Sequence, residues 1–257
     1  TEMAVLTLRP ARARRVLALA CSCSALLADA ATFGRPSILL IDGRNNHDWP
    51  TTTEALRATL ESTGLFEVAV ATAPELKIHS GLRAPAVPDE NFADAQGRNS
   101  EVTRAAQQKL APEWASWSPD FSRHAAVILN YNGPAWPKPM QAAFVAYVRG
   151  GGGVHVIHAA NNGFADWPEF NAMIGLGGWG GRTEKSGPYL RLRQSTWTKD
   201  LTPGRGGSHG AQHEFLVEAS TPDHPILRGL PAKWMHAKDE LYDSLRGPAE
   251  NVTVLAS

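Results

Sequence analysis

The sequence predicts an α/β fold with a mostly parallel sheet, and three observations support this prediction. Short apolar runs suited to buried strands recur along the chain, and segments with helical spacing separate them. Glycine or polar turn residues follow each run. No internal repeat or long linker interrupts the pattern. A strand, a helix and a second strand in succession form a parallel βαβ unit, so we expect one doubly wound domain.

The first unit is the clearest. Residues 36–43 (PSILLIDG) form a short apolar run that ends at Asp-Gly and indicates a buried strand. Helical spacing follows at residues 51–63, where Thr51 and Glu54 fit a capping box and Gly64 fits the helix end. Residues 66–72 (FEVAVAT) then predict the second strand.

Later segments continue the alternation. Within residues 101–117 the spacing is helical up to Pro112, where we expect the helix to end. Further elements are a strand in 124–133, a helix in 137–153, a strand in 154–158 and a helix in 168–178. Beyond Gly180 the pattern changes to alternating strands at residues 189–195, 213–220 and 251–257.

Charge and the N-terminal segment restrict the function classes. Lys and Arg total 25, as do Asp and Glu, so the chain lacks the basic excess of a nucleic-acid binder. Residues 1–30 combine a basic start, an apolar middle and Ala-Asp-Ala, which predicts a cleaved secretory signal peptide, with a short buried helix as the alternative. Cys21 and Cys23 both lie there, so the exported chain would have no thiol. It would also have no apolar run of membrane-spanning length.

Polar side chains follow three of the predicted strands. They are Asn45, Asn46 and His47 after the first strand, Asn130 and Asn132 after the third, and His158 and Asn161 after the fourth. In doubly wound sheets ligands bind beyond the carboxyl ends of the strands, so these residues predict a shared site. The alternative is that Asn, Asp and Gly are ordinary turn formers.

Three long segments, which begin ILLIDGRNNHDWP, VHVIHAANNGF and PDHPILRGL, resemble the ThuA-like family, named for trehalose utilisation. The resemblance implies a flavodoxin-like, class I glutamine amidotransferase-like three-layer sandwich over residues 37–257. The family continues to a further segment with a Gly-His element, so we expect this domain to be incomplete at its C-terminus. Amidotransferases of this fold carry a nucleophilic Cys at the turn where this chain has His158, which excludes glutaminase chemistry.

Further candidates come from the second half of the chain. By the family pattern DELY, Asp239 or Glu240 supplies a carboxylate to the site, and adjacent residues of a strand point to opposite faces. The alternative is a helix cap or a surface charge. His209 and His213 are candidate zinc ligands together with His158, although hydrogen-bonded histidines on a polar rim are the alternative.

Tryptophan is frequent, with eight residues. Trp49, Trp136 and Trp167 each precede a proline soon after a predicted strand, and Trp179 lies in the glycine-rich segment GLGGWGG. An indole ring suits the apolar face of a sugar, whereas core packing is the alternative for each of these residues.

We therefore expect an exported carbohydrate-active protein that binds or converts a sugar or keto-sugar by acid/base chemistry. His158 is the predicted catalytic residue, with His47 and Asp239 as its partners. The predicted substrate-binding residues are Asn45, Asn46, Asn130, Asn132, Asn161, Trp179 and Glu240. The alternatives are a non-catalytic sugar-binding module of a larger protein and a zinc-dependent hydrolase. The sequence leaves the oligomeric state open.

Overall fold

A four-stranded sheet forms the centre of the structure, a computed structural model that describes residues 34–74 and 111–257. Its strands are β1 (Ser37–Asp42), β2 (Glu67–Thr72), β3 (Ala126–Leu129) and β4 (Gly153–Val156). Their order is β2-β1-β3-β4 and every pairing is parallel. This confirms the predicted parallel sheet. The predicted signal peptide and most of the predicted helix at residues 101–117 lie outside the described residues.

The described helices are α1 (Trp49–Ser62), α2 (Ala111–Ser116), α3 (Lys138–Arg149) and α4 (Pro168–Ile174). Short 3₁₀ helices occupy Phe121–Arg123, His158–Asn162, Glu184–Ser186 and Pro225–Leu227. No helix among these described residues combines the length and apolar character that a bilayer crossing requires.

Two predicted helix boundaries were wrong. Helix α1 begins at Trp49, and the side chain of Asp48 caps it by accepting a hydrogen bond from the Thr51 backbone N–H (3.3 Å). The expected capping box is absent because Pro50 fits the first turn, where no N–H is needed, and this moves the start of the helix forward. The helix predicted to end at Pro112 continues past it, since Pro112 lies within α2.

Helices cover both faces of the sheet. On one face, the buried side chains of β1 and β3 pack against the aromatic residues of α3 and α4; these include Leu39, Ile41, Val127, Leu129, Phe144 and Phe170. On the other face, Ile38, Leu40 and Ile128 pack against Leu56 and Leu60 of α1. Apolar side chains on both faces of a strand require two covering layers. The three-layer α/β sandwich is therefore confirmed.

The three Trp-Pro pairs mark helix starts. Trp49 opens α1, Trp136 lies one residue before the cap of α3, and Trp167 caps α4. Trp136 is 2% exposed and Trp167 is 6% exposed, and their rings pack together at 6.2 Å between centroids. Core packing, the alternative reading for these two residues, is therefore correct, and neither is placed to stack on a ligand.

Beyond α4 the chain forms three small antiparallel pairs. Strand β5 (Tyr189–Arg193) pairs with β6 (Thr196–Asp200), β7 (Ser208–His209) pairs with β10 (Tyr242–Asp243), and β8 (His213–Glu218) pairs with β9 (Lys233–Asp239). The strand predicted at residues 251–257 is absent, since only an isolated bridge between Ala256 and Ala219 forms there. Residues Arg35–Ser257 group into one compact unit.

Two buried arginines fasten these later segments. Arg182 donates to the backbone oxygens of Asn162, Gly163 and Gly178 at 2.6–3.1 Å and to the Asn171 side chain at 2.8 Å. Its burial lowers the pKa of the guanidinium to about 10. Arg246 is fully buried and lies 3.5 Å from the centre of the Tyr189 ring. The loop after α4 thus depends on arginine-carbonyl hydrogen bonds as well as on apolar packing.

Candidate functional site

The carboxyl ends of the parallel strands meet through asparagine side chains. Asn45, which follows β1, donates to Asn130, which follows β3 (3.2 Å). Asn132 donates to Asn46 and to the backbone oxygen of Ala159 after β4 (3.1 Å). These contacts join the carboxyl ends of three parallel strands into one rim, where ligands bind in sheets of this type.

This asparagine network also positions a histidine. The Asn45 side chain accepts a hydrogen bond from the backbone N–H of His47 (3.1 Å). Asn130 is buried and donates to the Trp49 carbonyl and the Thr53 hydroxyl, both at 3.1 Å, so it ties β3 to the start of α1. Asn130 therefore holds Asn45 in place, and Asn45 in turn holds the backbone of His47.

His158 occupies a strained turn directly after β4. Its φ of 43° lies in the left-handed region, which residues other than glycine rarely adopt. Its ring lies 4.6 Å from that of His47 and 4.2 Å from that of Tyr242, measured between centroids. The sharp turn expected from the sequence is therefore present, and it brings the imidazole to the rim.

Three imidazoles surround the carboxylate of Glu240. Its Oε2 atom lies 3.6 Å from Nε2 of His158, 3.9 Å from Nε2 of His47 and 4.0 Å from Nε2 of His209. The Glu240 side chain is 18% exposed, so water only partly screens these interactions. Ligand-capable atoms of His47, His158 and Glu240 all lie within 4.8 Å of one another.

The aromatic wall of the site consists of Trp179, Tyr242 and His209, and the last two come from the antiparallel pair of β10 and β7. Tyr242 lies opposite His209 in this ladder, and their rings stack at 5.8 Å. Trp179 packs against the Tyr242 ring at 4.6 Å. Burial, and then the negative charge of Glu240, raises the pKa of Tyr242 well above its usual range, so its hydroxyl stays protonated.

Comparisons with known proteins agree with this architecture. A sequence model of the ThuA family, described as trehalose utilisation, matches residues 118–257. A crystal structure of a ThuA-like protein from Parabacteroides merdae is 38% identical, with a TM-score of 0.70, and the match covers 87% of this chain and 68% of that chain. The chain belongs to the ThuA family.

A second ThuA-like structure, from Bacteroides uniformis, is 17% identical with a TM-score of 0.50. That match covers 90% of this chain and 70% of the other, and it supports the fold alone. A search of curated proteins gave no match.

In this ThuA-family chain, the two neighbouring carboxylates have different surroundings. Asp239 ends β9, and its side chain accepts a hydrogen bond from the backbone N–H of Glu240 (2.8 Å). Glu240, for which we predicted substrate binding, is the carboxylate that reaches the imidazoles. Burial lowers the pKa of His158, and the charge of Asp239, its predicted partner, opposes that shift.

The two candidate zinc ligands also have different surroundings. His209 lies beside Glu240. His213 pairs with Asp239 in the β8–β9 ladder, and its Nδ1 lies 2.9 Å from the Ala211 carbonyl. Among the described residues, the group of potential metal ligands does not include His213.

Tyr242 is a site residue that the sequence reasoning missed. It follows Glu240 by two positions at the start of β10, and residues two apart in a strand share a face. Once Glu240 is placed in the site, this spacing alone would have indicated Tyr242. Asn161 lies in the same short 3₁₀ helix as His158, and its Oδ1 atom is buried without a hydrogen-bond partner in the described structure.

We predict that His158 titrates below the usual histidine pKa of 6.5. Burial is the largest cause, followed by the neighbouring charge of His47, whereas the carboxylates of Asp239 and Glu240 oppose the shift. His47→Gln should therefore raise the pKa of His158, and Glu240→Gln should lower it further. NMR titration of the imidazole C–H resonances in buffer with EDTA measures these shifts. A wild-type value above 6.5, or the same direction in both variants, would contradict the assignment.

We also predict that Gly207→Ala disturbs the aromatic wall. At Gly207, where φ is +88°, an added Cβ would lie 2.7 Å from the Trp179 ring; at Gly181, where φ is +76°, it would meet no atom within 4 Å. Both alanines carry the left-handed penalty of about 1–2 kcal/mol. Only Gly207→Ala adds overpacking of about 1–3 kcal/mol. Urea unfolding and the Trp179 indole resonance measure the difference, and equal effects of the two substitutions would refute it.

Proposed function

We propose that this ThuA-family protein binds a sugar or keto-sugar beyond the carboxyl end of its sheet and converts it by proton transfer. The observation that carries the proposal is the Glu240 carboxylate with three imidazoles within 4.0 Å, beside the Trp179–Tyr242 wall. Paired acidic and basic groups of this kind suit the isomerisation or hydrolysis of sugars. The family's description, trehalose utilisation, favours a disaccharide-derived substrate.

The binding half of the proposal rests on the wall and the rim. Trp179 and Tyr242 offer flat apolar surfaces with polar edges, which match the two aspects of a pyranose ring. The Oδ1 atom of Asn161 is buried and lacks a partner among the described residues, so a ligand hydroxyl would relieve its unpaired state. The side chains of Asn45, Asn130 and Asn132 form hydrogen bonds to protein groups, so they would hold the rim in shape and not bind the sugar directly.

The chemical half rests on His158 and Glu240. The lowered pKa of His158 keeps its imidazole neutral at pH 7, so it can accept a proton. Glu240 would stabilise the resulting imidazolium, and His47 would hold the opposite side of the substrate. A thiolate nucleophile has no place in this scheme, since the turn carries an imidazole.

Export is a further part of the proposal. Residues 1–30 have the pattern of a secretory signal, which would place the mature protein outside the cytoplasm. Expression of the whole chain followed by N-terminal sequencing of the exported product tests this, and we expect cleavage after Ala30.

A substrate panel tests the proposed function. Trehalose, other disaccharides and their keto derivatives are incubated with the wild-type protein and with His158→Ala, and the products are followed by NMR. We expect conversion by the wild type alone and binding by both proteins in calorimetry. Equal turnover by the two proteins would remove His158 as the acid/base. Tight binding of a sugar without turnover would favour the non-catalytic alternative.

A further inference from the structure

We propose that His47, His158 and Glu240 together bind a divalent transition-metal ion, with one position left open for water or a sugar oxygen. This inference rests on the proposed function only for the identity of the ligand at the open position. The three ligand-capable atoms lie within 4.8 Å of one another, and they come from three separate parts of the chain. His47 follows β1, His158 follows β4 and Glu240 follows β9.

The distances fit a metal better than a set of direct hydrogen bonds. Glu240 Oε2 lies 3.6 Å and 3.9 Å from the two Nε2 atoms, beyond normal hydrogen-bond length. Ligand atoms held at about 2.0–2.1 Å in a tetrahedral shell lie roughly 3.3–3.4 Å apart. The two spacings to Glu240 exceed that value by a few tenths of an ångström, and the ligand atoms of His47 and His158 lie within 4.8 Å of each other, so side-chain rotations are needed to close the shell.

A buried atom without a partner supplies independent support. Nε2 of His47 is buried and has no hydrogen-bond partner in the described part of the chain. Leaving such a nitrogen unpaired is costly, and native proteins rarely do so. A cation between His47, His158 and Glu240 would satisfy this nitrogen and would neutralise the carboxylate.

His209 lies next to the proposed centre in a suitable tautomer. Its Nδ1 is 2.9 Å from the Gly210 carbonyl, which can only accept, so Nδ1 carries the proton of the neutral ring. The lone pair of Nε2 then faces Glu240 at 4.0 Å. His209 lies outside the set of three ligands. It is therefore placed to hold the water or sugar oxygen at the open position.

The donor set identifies the class of ion. Two imidazole nitrogens and one carboxylate oxygen suit zinc and its first-row neighbours, whereas magnesium and calcium prefer oxygen ligands. A three-ligand site of this type leaves a position for catalysis. With the metal bound, a metal-held water would replace the free imidazole of His158 as the proton-transferring group.

Calorimetry on the whole chain, stripped with EDTA and dialysed, tests the site with ZnCl₂ and with MgCl₂. We expect one Zn²⁺ per chain and no binding of Mg²⁺. His158→Gln and Glu240→Gln should each weaken Zn²⁺ binding by about a hundredfold or more, and His209→Gln by less than tenfold. His236→Gln is the matched control, because its imidazole stacks on Phe215, and it should bind as the wild type does. Circular dichroism verifies that each variant is folded.

Two results would overturn the metal site. One is the absence of stoichiometric Zn²⁺ binding by the wild type, and the other is wild-type affinity in folded Glu240→Gln. Sugar conversion that persists in EDTA would likewise overturn the metal's role while leaving the proposed function intact. Zn²⁺ binding without conversion of any sugar would leave the metal site standing and count against the proposed function.

Discussion

Replacing Arg182 with Met should lower the free energy of unfolding by about 3–5 kcal/mol, because it removes the donor for several buried oxygens at once. The guanidinium donates to the carbonyls of Asn162, Gly163 and Gly178 and to the side chain of Asn171. Met has a similar length but no donor, so each oxygen would stay buried and unpaired. Asn162 follows His158 by four residues and Gly178 directly precedes Trp179. The site should therefore loosen together with the fold.

Urea unfolding of Arg182→Met and Arg193→Met measures this effect. Arg193 is the matched control, since its side chain is 67% exposed and contacts Asp200 at 3.4 Å on the surface. Exposed ion pairs contribute little to stability, so Arg193→Met should unfold near the wild-type midpoint. Equal midpoints for all three proteins would show that the Arg182 hydrogen bonds are not required.

The fold could be predicted from the sequence where local pattern and tertiary environment agree. Residues 37–42 and 126–129 are buried on both sides, so their apolar runs identify strands without knowledge of their partners. The pattern was less informative where one residue has two readings. The sequence offers the Trp-Pro pairs as candidate ligand contacts or as core residues, whereas in the structure all three lie at helix starts and Trp136 and Trp167 fill the core.

Two histidines of the site could be predicted from topology, whereas Glu240 and His209 were named without a known position and Tyr242 was missed. Parallel strands end at one edge, so His47 and His158 follow from strand order alone. His209 and Tyr242 reach the same place through β7 and β10, which have two residues each, and Glu240 lies between β9 and β10. Strands this short have no periodicity to read, and their pairing is visible only in three dimensions. The choice between Asp239 and Glu240 likewise needs the strand's orientation, because a shift of one residue reverses its faces.

Glu240→Gln should reduce turnover of the sugar substrate by about 10²–10⁴-fold, whereas Asp239→Asn should reduce it by less than tenfold. The Glu240 carboxylate lies within 4.0 Å of three imidazoles, and glutamine keeps its size but removes its charge. Asp239 instead accepts a hydrogen bond from the Glu240 backbone, a contact that the oxygen of asparagine can preserve.

Steady-state kinetics of both variants, with the substrate identified by the panel, separates these roles. Loss of turnover without a matching rise in KM would place Glu240 in the chemical step, since uniform binding effects change KM alone. The reverse ranking, with Asp239→Asn the more damaging change, would return the catalytic role to Asp239. The carboxylates at the end of β9 and directly after it thus give a comparison in which position, and not residue type, decides the result.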